Sequence, residues 1–219
     1  MLTEYQIEEN KNEFLNICRT NITRPGINEM LEWLENSSDF FRAPSSTQYH
    51  GCYPGGLCEH SLNVYKAAKK IMDNMIPELA DDTRKPENIA EENLVISALF
   101  HDLCKVNYYD PKVKWFKDES NNWHSYQSYE INDRLPLGHG EKSVILLQQF
   151  IRLTGEEIAS IRWHMAFSDS GTWISIYEKP AMMKSLEICP LVMVIAMADQ
   201  FATFLMEKRE DPKVCCLIS

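Results

Sequence analysis

Five short segments of this chain each put an ionisable side chain among residues that belong in a protein interior, and that conflict constrains the fold more than any other feature. The sharpest case is VMVIAMADQFATFL, where Asp199 interrupts an apolar helical run. The others are LCEHSLNV around His60, ALFHDL around His101 and Asp102, PLGHGEKSV around His139, and IRWHM around His164. A buried polar group needs partners, and a buried carboxylate needs a cation or strong donors. Side chains on separate helices satisfy one another if the chain folds into a bundle that brings them together on metal. His101 and Asp102 are adjacent and diverge by about 100° around a helix, yet near a helix end both lean into one site. A mixed nitrogen and oxygen donor set suits Mn, Fe, Zn, Ni or Mg, and the lack of thiolates in it argues against a structural zinc site.

Hydrophobic residues make up 44% of 219, enough for one domain with a sizeable core, so a disordered chain is excluded. No apolar run reaches the ~18 residues of a membrane helix. The N-terminus MLTEYQIEENKNEFL is acidic and polar, unlike a secretory signal. The 22 basic and 32 acidic residues give a net charge of −10. Wide non-specific binding to nucleic acid needs the opposite sign. Seven cysteines lie without a CxxC pair, which points to a reducing, cytoplasmic setting. The last four residues, Cys216-Leu217-Ile218-Ser219, fit a prenylation pattern, with Cys215 beside it.

The expected fold is all-α. Periodicity predicts helices over 4–19 and 26–36, split by Pro25-Gly26, then a loop over 37–56. Further helices are predicted over 57–75, 89–105, 140–153, 155–166 and 190–208. Thr154-Gly155-Glu156-Glu157 reads as a capping box. Residues 106–131 carry a β-hairpin pattern with DESNN at its turn. Its aromatics, Trp115, Phe116, Trp123, Tyr126 and Tyr129, either pack the hairpin on the bundle or form a lid that stacks on a base. Packing is the preferred reading. His124 reads as a surface residue, and Arg162 as a surface ion pair. The chain divides into an N-terminal helical extension (1–38), a main domain (39–208) and a tail (209–219).

The order H…HD…H…H…D, carried on helices over roughly 40–205, resembles the HD-domain superfamily of metal-dependent phosphohydrolases. The run His101-Asp102-Leu103-Cys104-Lys105 is similar to the HDxxK form of its phosphodiesterase branches. The resemblance implies an HD helical bundle with two divalent metal ions. The first would take His60, His101, Asp102 and Asp199, and the second Asp102, His139 and His164. The lead-in Phe40-Phe41-Arg42-Ala43-Pro44, Tyr49-His50, Gly55-Gly56-Leu57 and Glu59-His60-Ser61 resembles a subgroup with 3′–5′ exoribonucleases and small stand-alone bacterial and phage hydrolases. Those exoribonucleases usually carry an OB-fold ahead of the HD domain, and only about 35 residues precede the lead-in here.

The implied reaction is hydrolysis of a phosphomonoester or phosphodiester by a metal-activated water. Asp102 would bridge the metals. Lys105, read at i+4 from His101 on one helix face, would contact phosphate or the leaving group. Its bland reading is a helix-end lysine. His50 would donate a proton or contact substrate phosphate, or else only fix its loop. The expected partner is a small phosphorylated, nucleotide-like molecule, with extended nucleic acid ranked below it and no membrane. Subunit number is open. A compact nuclease or cyclic-nucleotide phosphodiesterase is the alternative, followed by a di-iron oxygenase or a catalytically silent binding module.

Overall fold

The computed structural model describes residues 1–48, 50–79, 89–167, 177–207 and 217–218. Helix α1 (Glu4–Asn21) opens on a capping box, in which Thr3 Oγ1 accepts from the Gln6 amide and Gln6 Oε1 accepts from the Thr3 amide. Helix α2 (Ile27–Asn36) begins after Gly26, whose φ of +93° suits glycine. A Cβ there would lie 1.9 Å from the Phe150 carbonyl oxygen. After the 37–55 loop come α3 (Gly56–Lys70), a π turn (Ile71–Met75) and the short α4 (Ile76–Leu79). Helix α5 (Glu91–Phe100) precedes a 3₁₀ turn (Leu103–Lys105) and the hairpin, β1 (Tyr109–Lys117) and β2 (Trp123–Ile131). Helices α6 (His139–Leu147), α7 (Gly155–Trp163), α8 (Lys179–Ile188) and α9 (Pro190–Phe201) complete the bundle. A two-residue strand, β3 (Leu217–Ile218), pairs antiparallel with β2 at Tyr126 and Ser125. The fold is therefore the expected all-α bundle with one inserted hairpin.

Two cores meet at the centre of the bundle. The first joins α1, α2, the 37–55 loop, α5 and α6 through Phe14, Met30, Leu34, Phe40, Phe100 and Leu147, all fully buried. The Phe14 ring lies 4.9 Å from Phe40 and 5.5 Å from Phe100, tying three segments together. Each such side chain contributes about 1.5–3 kcal/mol. The second core wraps α9, where Leu191, Val194, Ile195 and Ala198 meet Val64 and Ala68 of α3, Leu94 and Ala98 of α5, and Trp163 of α7. Helices α3, α5, α7 and α9 thus surround one interior point. Among the described residues no single helix is long and apolar enough to cross a membrane.

Several expected boundaries move. The helix predicted over 89–105 ends at Phe100, because His101 Nδ1 donates to the Ala98 carbonyl (2.8 Å) and Asp102 leaves helical geometry. The last helix gives way at Phe201 to a π turn, Ala202–Met206. Helix α6 stops at Leu147 rather than 153. Helix α8, with Pro180 in its first turn, was not foreseen. The hairpin keeps its predicted place, in register from Tyr109↔Ile131 to Lys117↔Trp123. Its aromatics divide, however. Tyr129 is buried, whereas Trp115 and Trp123 are 64% and 63% exposed, so the hairpin tip does not pack on the bundle as preferred. His124 caps the turn through Asp118 at 2.8 Å, and Arg162 pairs with Glu178 (2.7 Å) and Glu141. The described cysteines, Cys18, Cys52, Cys58, Cys104 and Cys189, are buried and form no disulfide with one another. Tyr49 of the lead-in, and Cys215, Cys216 and Ser219 of the tail motif, lie outside the described residues.

Candidate metal centre

Each side chain reaches the centre from its own element. His60 lies on the second turn of α3, immediately after a tight approach of two glycines. A Cβ on Gly56 would sit 2.1 Å from the Gly51 carbonyl oxygen, so only glycine lets the 37–55 loop press against the start of α3. His101 and Asp102 occupy the broken end of α5, and His164 the end of α7. His139 opens α6, and Asp199 lies in the last full turn of α9. His60, His101, Asp102, His164 and Asp199 are all 5% exposed or less, while the His139 side chain is 35% exposed and forms the mouth.

The two oxygens of Asp102 face different histidines. Oδ2 lies 3.5 Å from His60 Nε2 and 3.4 Å from His101 Nε2. Oδ1 lies 2.7 Å from His139 Nε2 and 3.5 Å from His164 Nε2. On the first side, His60 Nε2 is also 3.2 Å from His101 Nε2 and 3.3 Å from Asp199 Oδ1. Thr203 Oγ1 donates to that Asp199 oxygen (3.4 Å). The six residues expected from the sequence thus converge in overlapping triads, His60 with His101 and Asp199, His101 with Asp102 and His164, and Asp102 with His139 and Cys104, beside a further triad of His50, His60 and Glu207.

The hydrogen bonds fix how the imidazoles present themselves. A carbonyl only accepts, so the Nδ1 atoms of His101 and His164, 2.8 and 2.7 Å from Ala98 O and Ile161 O, carry protons. When the rings are neutral, each Nε2 therefore turns a lone pair toward the centre. His164 Nε2 is buried and has no hydrogen-bond partner. An orphaned buried lone pair beside a carboxylate fits a cation, as does the nitrogen and oxygen donor set. These buried His and Asp side chains could hold a divalent metal ion.

Electrostatics agree with that arrangement. Burial lowers the basicity of His101 and His139, leaving them neutral. Burial opposes ionisation of Asp102 and Asp199, but the ammonium of Lys105 beside the first and the imidazole of His60 beside the second hold both carboxyls well below the usual range. Burial would also lower His60, yet the Glu207 and Asp199 carboxylates raise it to about 10.

Lys105 reaches the site by another route than expected. It stands in the 3₁₀ turn, not on a continuing helix, and its Nζ donates to Asp102 Oδ2 at 2.6 Å, three residues back. His50 stacks on His60 with ring centres 4.8 Å apart. Its loop is pinned where Ser45 and Ser46 hydroxyls donate to the His50 carbonyl, both at 2.7 Å. Sequence reasoning missed two neighbours. Cys104 Sγ lies 3.3 Å from His139 Nδ1, a thiol beside a donor set read as free of sulfur, with its pKa pushed up to about 12 by burial. Glu207 Oε1 accepts from His60 Nδ1 at 2.9 Å. The closeness of Cys104 to Asp102 in sequence was the one available signal for the thiol; Glu207 had none.

An α-helical bundle that buries such a His and Asp cluster at the meeting point of its helices fits a metal-dependent hydrolase. The model of the HD domain family matches residues 57–203, and the chain belongs to that family. No curated protein and no solved structure gave a significant match.

Proposed function

We propose that this chain hydrolyses a phosphate ester of a small nucleotide-like molecule, at a site holding two divalent ions bridged by Asp102. The observation that supports it is the division of Asp102 between its partners, one carboxylate oxygen toward His60 and His101 and the other toward His139 and His164. Such ions, when bound, acidify a water and offset charge on phosphate oxygens. The protein's own groups do the rest. His60 and Asp199 on helices, and His101 and His164 just past helix ends, are buried and hold the geometry. Lys105, held against Asp102 Oδ2, keeps a positive charge beside the site that would also attract a phosphate oxygen. His50 is neutral, its pKa lowered to about 3 by burial and by His60. It therefore fits the role of a hydrogen-bonding contact to substrate better than that of a proton donor.

A small substrate is favoured over a nucleic acid strand because the basic residues near the hairpin are few and partly engaged. Lys112 is paired with Glu130. A compact nuclease is the second reading, favoured by the exposed Trp115 and Trp123, with Lys117 5.1 Å over the Trp123 ring. The test is product detection by mass spectrometry after Mn²⁺-loaded protein meets a mixed nucleotide pool and a short RNA, with Asp102→Ala as control. Nucleoside or free phosphate from the pool, lost in the control, is the expected result. Shortened RNA beside an intact pool would replace the first reading with the second, and no product from either would overturn both.

A further inference from the structure

His60 differs from the other two fully buried histidines of the centre. His101 and His164 lie just past helix ends, where carbonyls three residues back are free to accept from Nδ1. His60 lies inside α3, where the preceding carbonyls serve the helix. Its Nδ1 needs an acceptor from elsewhere, and Glu207 provides it. We propose that Glu207 is a positioning residue, which locks His60 with Nδ1 protonated and Nε2 aimed at the metal centre.

The geometry is built by the end of the last helix. Eight residues separate Asp199 from Glu207, a rotation about 80° beyond two full turns of regular helix. The π turn at Ala202–Met206 takes an extra residue, which offsets about one residue's rotation. The Glu207 amide donates to Ala202 O at 3.0 Å, and the chain then becomes extended. One helix end so grips both nitrogens of the same ring, Asp199 Oδ1 at 3.3 Å from Nε2 and Glu207 Oε1 at 2.9 Å from Nδ1. Asn63, one turn beyond His60 on α3, donates to Glu207 Oε1 at 3.2 Å and steadies it. The Glu207 side chain is 3% exposed. Its other oxygen stays 4.0 Å from His50 Nε2, too far for a hydrogen bond, so the carboxylate serves His60 rather than His50. Glu207 also lies beyond residue 203, where the match to the family ends.

This inference rests on the reading of His60 as a metal-facing residue, and the test separates the two. Metal affinity would be measured by competition of Mn²⁺ and Zn²⁺ with a coloured chelator, for the full-length wild type, Glu207→Gln and Glu207→Ala. In parallel, NMR would follow the His60 Nδ1 proton in metal-free protein. Because a glutamine oxygen still accepts from Nδ1, Glu207→Gln should lose less than about tenfold in affinity and keep a slowly exchanging proton. Glu207→Ala should lose about 10–100-fold and lose that protection. Wild-type affinity and an unchanged Nδ1 proton in Glu207→Ala would overturn the inference. Equal losses in the glutamine and alanine variants would also overturn it, marking Glu207 as a ligand itself. A wild type that binds neither ion would sink the metal reading, while the NMR arm would still judge the Glu207–His60 bond.

Discussion

His60 is flanked by a carboxylate at each nitrogen, and this sets a pH dependence. Burial lowers its basicity, but Glu207 and Asp199 raise it to about 10, so the metal-free ring is an imidazolium at pH 7–9. A ligating imidazole must be neutral, so metal binding expels one proton and affinity should rise about tenfold per pH unit below pH 10. In the metal-free protein the same raised pKa adds stability that is complete below the unfolded value near ~6.5 and is lost as pH rises through about 10. Calorimetric titration with Mn²⁺ in two buffers of different ionisation enthalpy measures the proton directly; zero release would contradict this assignment. His50 behaves oppositely, with its pKa lowered to about 3. His50→Ala should therefore raise KM while leaving the shape of the kcat/KM pH profile unchanged, and a lost acidic or basic limb would restore the proton-donor role.

Elements position these groups through a few contacts that tolerate little change. Arg24, between α1 and α2, donates from its NH1 to Glu157 Oε2 at 2.5 Å and from its NH2 to Asn93 Oδ1 at 2.9 Å. Glu157 is fully buried and also accepts from the Thr154 amide in the capping box of α7. Arg24→Met would strand that carboxylate, and urea denaturation should show a loss of about 3–5 kcal/mol. Gly56→Ala forces the Gly51 carbonyl and the start of α3 apart. It should cost about 1–3 kcal/mol in the same assay and weaken metal binding through His60. Helical periodicity and the polar intrusions made the bundle and its six converging residues readable from the sequence. The breaks were not readable. The apolar pattern runs through Phe100 and Phe201 without a Gly or Pro, yet the first helix ends where His101 Nδ1 donates to the Ala98 carbonyl and the second where a π turn begins at Ala202. Glu207 fell inside the stretch read as regular helix, 190–208, so its return to His60 through a π turn was hidden. Lys105 was expected on a helix face with His101, but the 3₁₀ turn sets it against Asp102 instead.

At the scale of the molecule, the centre lies where α3, α5, α7 and α9 meet, so ions bound there join elements far apart in sequence. Binding confined to the folded state adds about 2.7 kcal/mol at a hundredfold excess over Kd. Thermal unfolding of metal-stripped protein should therefore shift upward on adding Mn²⁺ and revert with chelator, and an unmoved transition would deny the linkage. The acidic net charge of −10 gives little general attraction for a polyanion. Elemental analysis of metal per chain, with Mn²⁺ electron paramagnetic resonance on the same samples, tests the central claim most directly. The expected result is two ions per wild-type chain with the spectrum of a coupled pair, one ion in His139→Ala, and loss of the pair in Asp102→Ala. A single uncoupled ion in the wild type, or a pair that survives Asp102→Ala, would contradict it.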